Sequence, residues 1–442
     1  MIPQSDLERA LARCQDPAFN PTEILLDLRE EPIQTLAEAE ALCLALESLP
    51  AQPEVLPPCG VSSDEAPTTA LYMLASLFQR AGSPEVMELL KERGLVALRK
   101  HYDLRLEGAG AAQRDDLLFV LKVLAMYQDP GGLERTVAAV RAGLWAEDFL
   151  WLTVFEVYHA PHVLCLELAE GLREPLPEGL AAVGYLDHVN TLTLQGVLEG
   201  HPFDTPAGIA LLEAWLSTGG ASFAHSATAA LPFLNPASRE PLLTLALEHA
   251  DPRVRLEAGW AAATLGDAKG VELLVRACSD PRISRIAQAY LQEVGHPEQV
   301  PASVEEPDFK AQAELAHWLA HPQGFGRSPD AVELYDRRSL TWPPTEDERE
   351  LWLVRFRFEP MGPEDAPTEG LGLVGSETRV LPGEVRADMD PAEAYALHCC
   401  WELEEKGDPR APATRTVAAG LALLGLTPEG ESSGGPRRLP QA

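Results

Sequence analysis

Basic residues are scarce in this chain. Thirty-five Lys and Arg stand against 68 Asp and Glu, a formal charge of −33. A field of that sign repels phosphate backbones, and no Lys/Arg cluster offers a local exception, so nucleic-acid partners are not expected. Cysteine is scarce as well. The seven residues (Cys14, Cys43, Cys59, Cys165, Cys278, Cys399, Cys400) are odd in number, scattered and without a CxxC pair. Reduced thiols in a cytoplasmic protein follow from that usage. No run reaches the roughly 18 apolar residues that a membrane span needs. The start, MIPQSDLERALARC, has no basic segment leading into a long apolar one, so a signal peptide is not expected. A Walker loop, a GxSxG elbow and an EF-hand loop are all missing. With 46% hydrophobic and 23% charged residues, the remainder reads as an ordinary globular composition.

What is present is a repeat. DPRVRLEAGWAAATLG runs from Asp251 to Gly266 and DPRISRIAQAYLQEVG from Asp280 to Gly295, a step of 29 residues. The step also relates Arg253 to Arg282 and Ala258 to Ala287. Each copy predicts a helix. Asp251 and Asp280 suit the N-cap, and Pro252 and Pro281 suit the first helical position, where no donor is needed. Val254, Ala258, Ala261, Ala262 and Leu265 recur at helical spacing, as do Ile283, Ala287, Tyr290, Leu291 and Val294. Gly266 and Gly295 stand where a left-handed C-terminal cap belongs. An apolar helix is expected before each copy, over Pro241–His249 and Lys269–Ser279. One such pair exposes too much apolar surface alone, so neighbours must stack on it.

These residues resemble a HEAT-type repeat, with its D-P-x-V-R-x-x-A…A-L-G second helix. The short period is similar to that of the compact repeats in phycobilin lyase-type proteins. A weaker third copy, SFAHSATAALPFL, covers Ser222–Leu234. Two departures stand out: Ser284 replaces the arginine found at Arg255, and Pro232 interrupts the weak copy. The resemblance implies an α-solenoid whose second helices line a concave face. Arg255, Glu257, Trp260, Ser284, Gln288 and Gln292 are the residues expected on that face. The expected function is a non-enzymatic scaffold or adaptor without a cofactor, binding a protein partner, and the acidic balance favours one with a basic segment. The alternative is a bilin-lyase-like accessory protein holding a linear tetrapyrrole in the groove, motivated by the aromatic segment Trp145, Phe149, Trp151, Phe155 and Tyr158. The main reading of that segment is a buried helix.

Along the chain, Ser5–Glu8 reads as a capping box, Leu36–Leu49 as a helix and Pro50–Pro67 as an exposed connection carrying Cys59 and Gly60. Helical pairs are expected over Thr69–Arg80 with Pro84–Arg93, and over Asp115–Tyr127 with Gly132–Ala142. Asp204 or Thr205 should cap the helix through Trp215. Residues 1–300 are thus expected to form a HEAT-like solenoid, and 301–328 a linker with a capping helix. Residues 329–426 should form a small α+β domain, and 427–442 a disordered tail. In the α+β part, Trp352, Val354, Phe356 and Phe358 alternate as a strand does, and Gly370–Leu381 is a second strand. Pro360–Pro367 reads as a loop between them. Helices should follow over Asp390–Glu405 and about Ala411–Leu424.

Four constellations bear on chemistry. His159, His162 and Cys165 carry zinc-ligand atoms three residues apart, but Pro161 spoils a shared helix face, and they read as structural. Glu314, His317 and His321 have a metal-like His spacing without the base of a HExxH motif, and read as a surface helix. His398, Cys399 and Cys400 point in different directions on a helix and read as core. Gly370, Gly372 and Gly375 spell GxGxxG but open a strand instead of following one, so dinucleotide binding is not expected.

Overall fold

The computed structural model describes residues 5–14, 24, 31–50, 69–106, 111–159, 161–321, 324–360, 366–375 and 377–426. The expectations for Pro50–Pro67, for most of Pro360–Pro367 and for the 427–442 tail fall almost wholly outside these residues. The chain is mainly helical, with one four-stranded antiparallel sheet near its C-terminus. It divides into two compact units, residues 1–246 and 247–442. Both Asp–Pro repeats fall in the second unit, together with the sheet.

In the first unit the helices are α1 (Asp6–Arg13), α2 (Leu36–Ser48), α3 (Ala70–Leu77), α4 (Pro84–Leu89), α5 (Leu95–Leu106), α6 (Ala111–Met126), α7 (Pro130–Arg141), α8 (Leu150–His159), α9 (Cys165–Gly171), α10 (Gly179–Leu194), α11 (Pro206–Thr218) and α12 (Ala221–Ala229). α13 (Pro236–Leu247) ends at the division. Local chemistry sets many of the starts. Ser5 Oγ accepts from Glu8 N, Thr69 Oγ1 from Tyr72 N and Thr205 Oγ1 from Gly208 N. Thr205 is therefore the cap, and Asp204 instead accepts from the backbone N of Asn235. The helix expected to end at Arg93 continues through a π-type turn, Leu90–Gly94, into α5.

In the second unit, α14 (Pro252–Thr264), α15 (Ala268–Ala277) and α16 (Ser284–Glu293) surround one core that includes Leu256, Leu274, Cys278, Ala287 and Leu291. Gly266 and Gly295 have φ of +83° and +82°. Both close the helix in the same way: Asp267 N donates to Ala262 O and His296 N to Leu291 O. The starts differ. Asp251 accepts from Arg253 N and Asp280 from Arg282 N, as expected of both, but the helix predicted from Pro281 begins at Ser284. The Arg282 carbonyl accepts from Ser328 Oγ, and its guanidinium is spread between Asp280 and Asp330 O, so the first turn is drawn away from helical bonding.

α17 (Pro307–Ala320), expected to cap a helical stack, packs Phe309 on the α14–α16 core and lays Leu315 and Leu319 on the sheet. The strands β1 (Ala331–Trp342), β2 (Asp347–Phe358), β3 (Thr368–Val374) and β4 (Arg379–Val380) pair in that order. Val354, Phe356 and Phe358 of β2 face Leu315 and Leu319 of α17, while Leu351 and Leu353 face α18 (Pro391–Glu405) and α19 (Val417–Leu424). β1 was not foreseen, and its register explains why. A bulge between Leu334 and Asp336 inserts one residue. Val332 and Leu334 thus face α17, whereas Leu340 and Trp342, of the same parity, face α18. No single alternation runs through the strand. The GxGxxG glycines have a packing reason: a Cβ on Gly370 would lie 2.6 Å from the Phe356 ring, and one on Gly372 would lie 2.4 Å from Leu315.

α14 and α15 cross at backbone distance. A Cβ on Gly270 would sit 2.4 Å from Ala263 N and 2.6 Å from Gly259 O. On an open helix Gly→Ala stabilises by about 1 kcal/mol. Here the sign should reverse, because neither contact can rotate away. Gly270→Ala is expected to destabilise the second unit by about 2 kcal/mol in urea denaturation. An unchanged or raised midpoint would show that the helices do not approach this closely.

Candidate functional site

The six residues expected on a partner-binding face do not share one environment. Arg255 on α14 is half-buried, and its Nη1 donates to His249 O at 2.6 Å and Ala250 O at 2.7 Å. It closes the turn that leads into α14. Glu257 and Ser284 are buried, at 5% and 0% exposure, and so present no side chain to solvent. This corrects the expectation for both. Ser284 opens α16, where its Oγ accepts from Gln288 Nε2 at 2.9 Å. Trp260 and Gln288 are half-buried, and Gln292 is exposed.

Glu257, Trp260 and Tyr290 form a cluster across α14 and α16. The Tyr290 hydroxyl donates to Glu257 Oε2, and the Trp260 and Tyr290 rings lie 5.8 Å apart. Trp260 Nε1 is buried without a hydrogen bond. Burial raises the Tyr290 pKa, and the adjacent Glu257 charge raises it further, so the hydroxyl stays protonated and donates. The cluster can hold the two helices in register. Its carboxylate already receives a donor, so the open edge consists of Trp260, Gln288 and Gln292.

The histidine and cysteine constellations separate in space. Both nitrogens of His162 are engaged, Nε2 with Ala125 O at 2.7 Å and Nδ1 with Leu164 N at 3.1 Å. His159 instead stacks on His188, a ring the sequence spacing did not connect with it. Glu314 accepts from Thr378 Oγ1, and His321 lies beyond the end of α17 in extended backbone. His398 is stacked between Trp342 and Trp401. Cys399 and Cys400 are buried, and burial pushes the Cys399 thiol up to about 12. Among the described residues, no group of three or more His, Cys, Asp or Glu is placed to hold a metal ion. Trp151, Phe155 and Tyr158 are wholly buried, as the main reading of that segment expected, while Phe149 is 67% exposed. Three of the five rings that motivated a tetrapyrrole groove thus belong to the core, and Trp145 is half-buried.

Two depressions border the sheet, and neither was read from the sequence. One, of about 800 Å³, is lined by Glu333, Arg355, Arg357, Glu369 and Asp388. Arg355 stacks 3.9 Å over the Tyr335 ring, donates to Ala387 O and pairs with Glu333, its cross-strand neighbour. The other, of about 340 Å³, is lined by Glu305, Lys310, Glu314, Trp352 and Glu377. Its carboxylates outnumber its one cation, so it offers more to a cationic group than to an anion. The strand alternation was visible at β2; the Glu333–Arg355 pair that shapes the first depression depends on the β1 register, and the second depression is bordered by the β2–β3 pair Trp352 and Val374.

Comparison with protein-family models, curated proteins and solved structures finds no match to this chain. Among the described residues no helix is long and apolar enough to cross a membrane.

Tyr290→Phe removes a donor from the buried Glu257 carboxylate and should cost about 1–3 kcal/mol of stability. Adding Glu257→Gln should recover part of that loss, since a neutral amide is cheaper to bury. Strictly additive effects in the double-mutant cycle, read by urea denaturation, would show that the two side chains do not interact.

Proposed function

We propose that this chain is a partner-binding protein of the HEAT-repeat kind, without catalytic chemistry of its own. Its solenoid-like helix succession presents α14 and α16 to an extended protein segment. The observation that carries the reading is the consecutive packing of α14, α15 and α16 around one core, with the same C-terminal cap at Gly266 and Gly295. Repeats of this sort bind by many modest contacts along a surface rather than in one deep pocket. The contact residues are Trp260, Gln288 and Gln292, with Arg255 shaping the turn beside them. Glu257 and Ser284 act from within, by positioning Tyr290 and Gln288.

The partner segment is basic. The chain's charge of −33 accelerates encounter with a cation-rich partner and disfavours an acidic one. The acidic depression beside Trp352 adds to that bias.

The test uses the tagged full chain as bait in lysate of the native cell. Gln288→Lys with Gln292→Lys places two cations on the α16 edge and removes the Gln288 bond to Ser284 Oγ, so thermal unfolding of the variant is the control. Proteins captured by the unaltered chain at low salt should fall about tenfold with the double variant, which corresponds to about 1.4 kcal/mol. Equal capture by both baits, with unaltered thermal unfolding, would remove the α16 edge from the interface.

A further inference from the structure

The seam between α8 and α10 in the first unit changes character along its length. Its earlier part is aromatic, with the Phe155 and Tyr185 rings 6.4 Å apart. Toward residue 159 imidazoles take over. His159 and His188 stack with centroids 5.8 Å apart and planes within 10°. Tyr158 packs on His162 at 4.5 Å and on His188 at 6.3 Å.

The hydrogen bonds assign the protons. His188 is fully buried, and its Nε2 lies 2.9 Å from the Cys165 carbonyl, an acceptor, so Nε2 carries the hydrogen. His188 Nδ1 is then a buried lone pair, and it has no hydrogen-bond partner. His159 Nε2 is also buried and without one. A second proton on His188 would thus have no acceptor. Protons on both rings would set like charges one ring-stack apart in a low-dielectric seam.

The groups acting on the pair offer little compensation. The charges that act on His188 are those of His159 and His162, both imidazoles. Glu156 acts on His159, and Asp129 on Tyr158. Cys165, at the start of α9, contributes its carbonyl. Burial lowers His188 from 6.5 to about 4, His159 and His162 add to the shift, and the Cys165 bond opposes it. Burial lowers His159 too, against Glu156. The unfolded chain therefore binds these protons more readily than the folded one. The stability contributed by the neutral rings is complete above about pH 6.5 and is lost as pH falls toward about 4.

We propose that the His159–His188 stack is an acid-sensitive latch, and that protonating it opens the α8–α10 seam before the second unit loses its fold. In the second unit, buried His398 faces Glu402 at 3.8 Å, a carboxylate able to share an added proton's charge. In the first unit, His201 bonds Asn190 on α10 and is likewise lowered to about 4 by burial, and buried His101 on α5 is lowered too, so these two are competing origins for an acid transition.

The test is hydrogen exchange with mass spectrometry on the full chain at pH 7.5 and 5.0, with labelling times scaled for intrinsic exchange. Peptides across residues 150–194 should exchange at least tenfold faster at pH 5.0, while those across 252–293 hold. His159→Phe with His188→Gln keeps a stacking ring and a donor for Cys165 O, leaves His201 in place, and should hold the seam closed at pH 5.0. The proposal is overturned if the unaltered chain keeps its protection at pH 5.0, or if the double variant opens at the same pH. Should the variant not fold at pH 7.5, histidine ring NMR of the unaltered chain decides. Both rings must stay neutral down to the pH at which 150–194 opens, and a ring titrating near 6.5 in the closed state refutes the latch.

Discussion

Short helices leave carbonyls unsatisfied at their last turns, and the way these are closed shapes both units. In the first unit side chains from elsewhere in the fold supply several of the donors, beside left-handed closures at Gly143 and Gly196, where Leu144 N donates to Ala139 O and Val197 N to Leu192 O. His101 Nε2 reaches Leu46 O at the end of α2, His162 Nε2 reaches Ala125 O at the end of α6, and Tyr185 Oη reaches Ala169 O on α9. Trp151 Nε1 does the same for Leu144 O, just past α7. Each of these bonds joins a helix end to another element, so capping and tertiary packing are one event. Removing such a ring opens a cavity and strands a carbonyl together.

In the second unit the left-handed closure serves both repeat helices. Gly266 and Gly295 turn left-handed and the chain closes its own helix ends, while Arg255 spans His249 O and Ala250 O. With the ends closed locally, small residues can bring the helices to backbone distance, as Gly270 does against Ala263. The core of α14, α15 and α16 then runs on through Val304 and Phe309 to α17, whose Leu315 lies over Gly372 of β3. The sheet is covered on both faces, which is why β2 carries apolar residues at both parities between Leu351 and Val354.

The imidazole donors add a dependence that the left-handed closures lack. Burial lowers the His101 pKa, so that bond ties first-unit packing to proton concentration, since a ring that donates from Nε2 must keep its other nitrogen bare or find an acceptor. Glycine and arginine caps have no such dependence.

What the residues themselves determined is local. The Asp–Pro, Thr–Pro and Ser–Pro starts, the C-terminal glycines of the repeat and the alternation over Trp352–Phe358 act through groups a few positions apart, so they could be read without knowing the fold. Helix α16 shows where that stops: its Asp280–Pro281 start is as good as Asp251–Pro252, yet contacts to Ser328 and Asp330 displace it. Only the tertiary structure decided that Glu257 and Ser284 are inside, that His159 meets His188 rather than Cys165, and that α17 belongs to the sheet. The reason is the same in each case. Burial and pairing depend on what arrives from tens of residues away, and the one-residue bulge in β1 reverses which side chains meet without leaving any mark in composition.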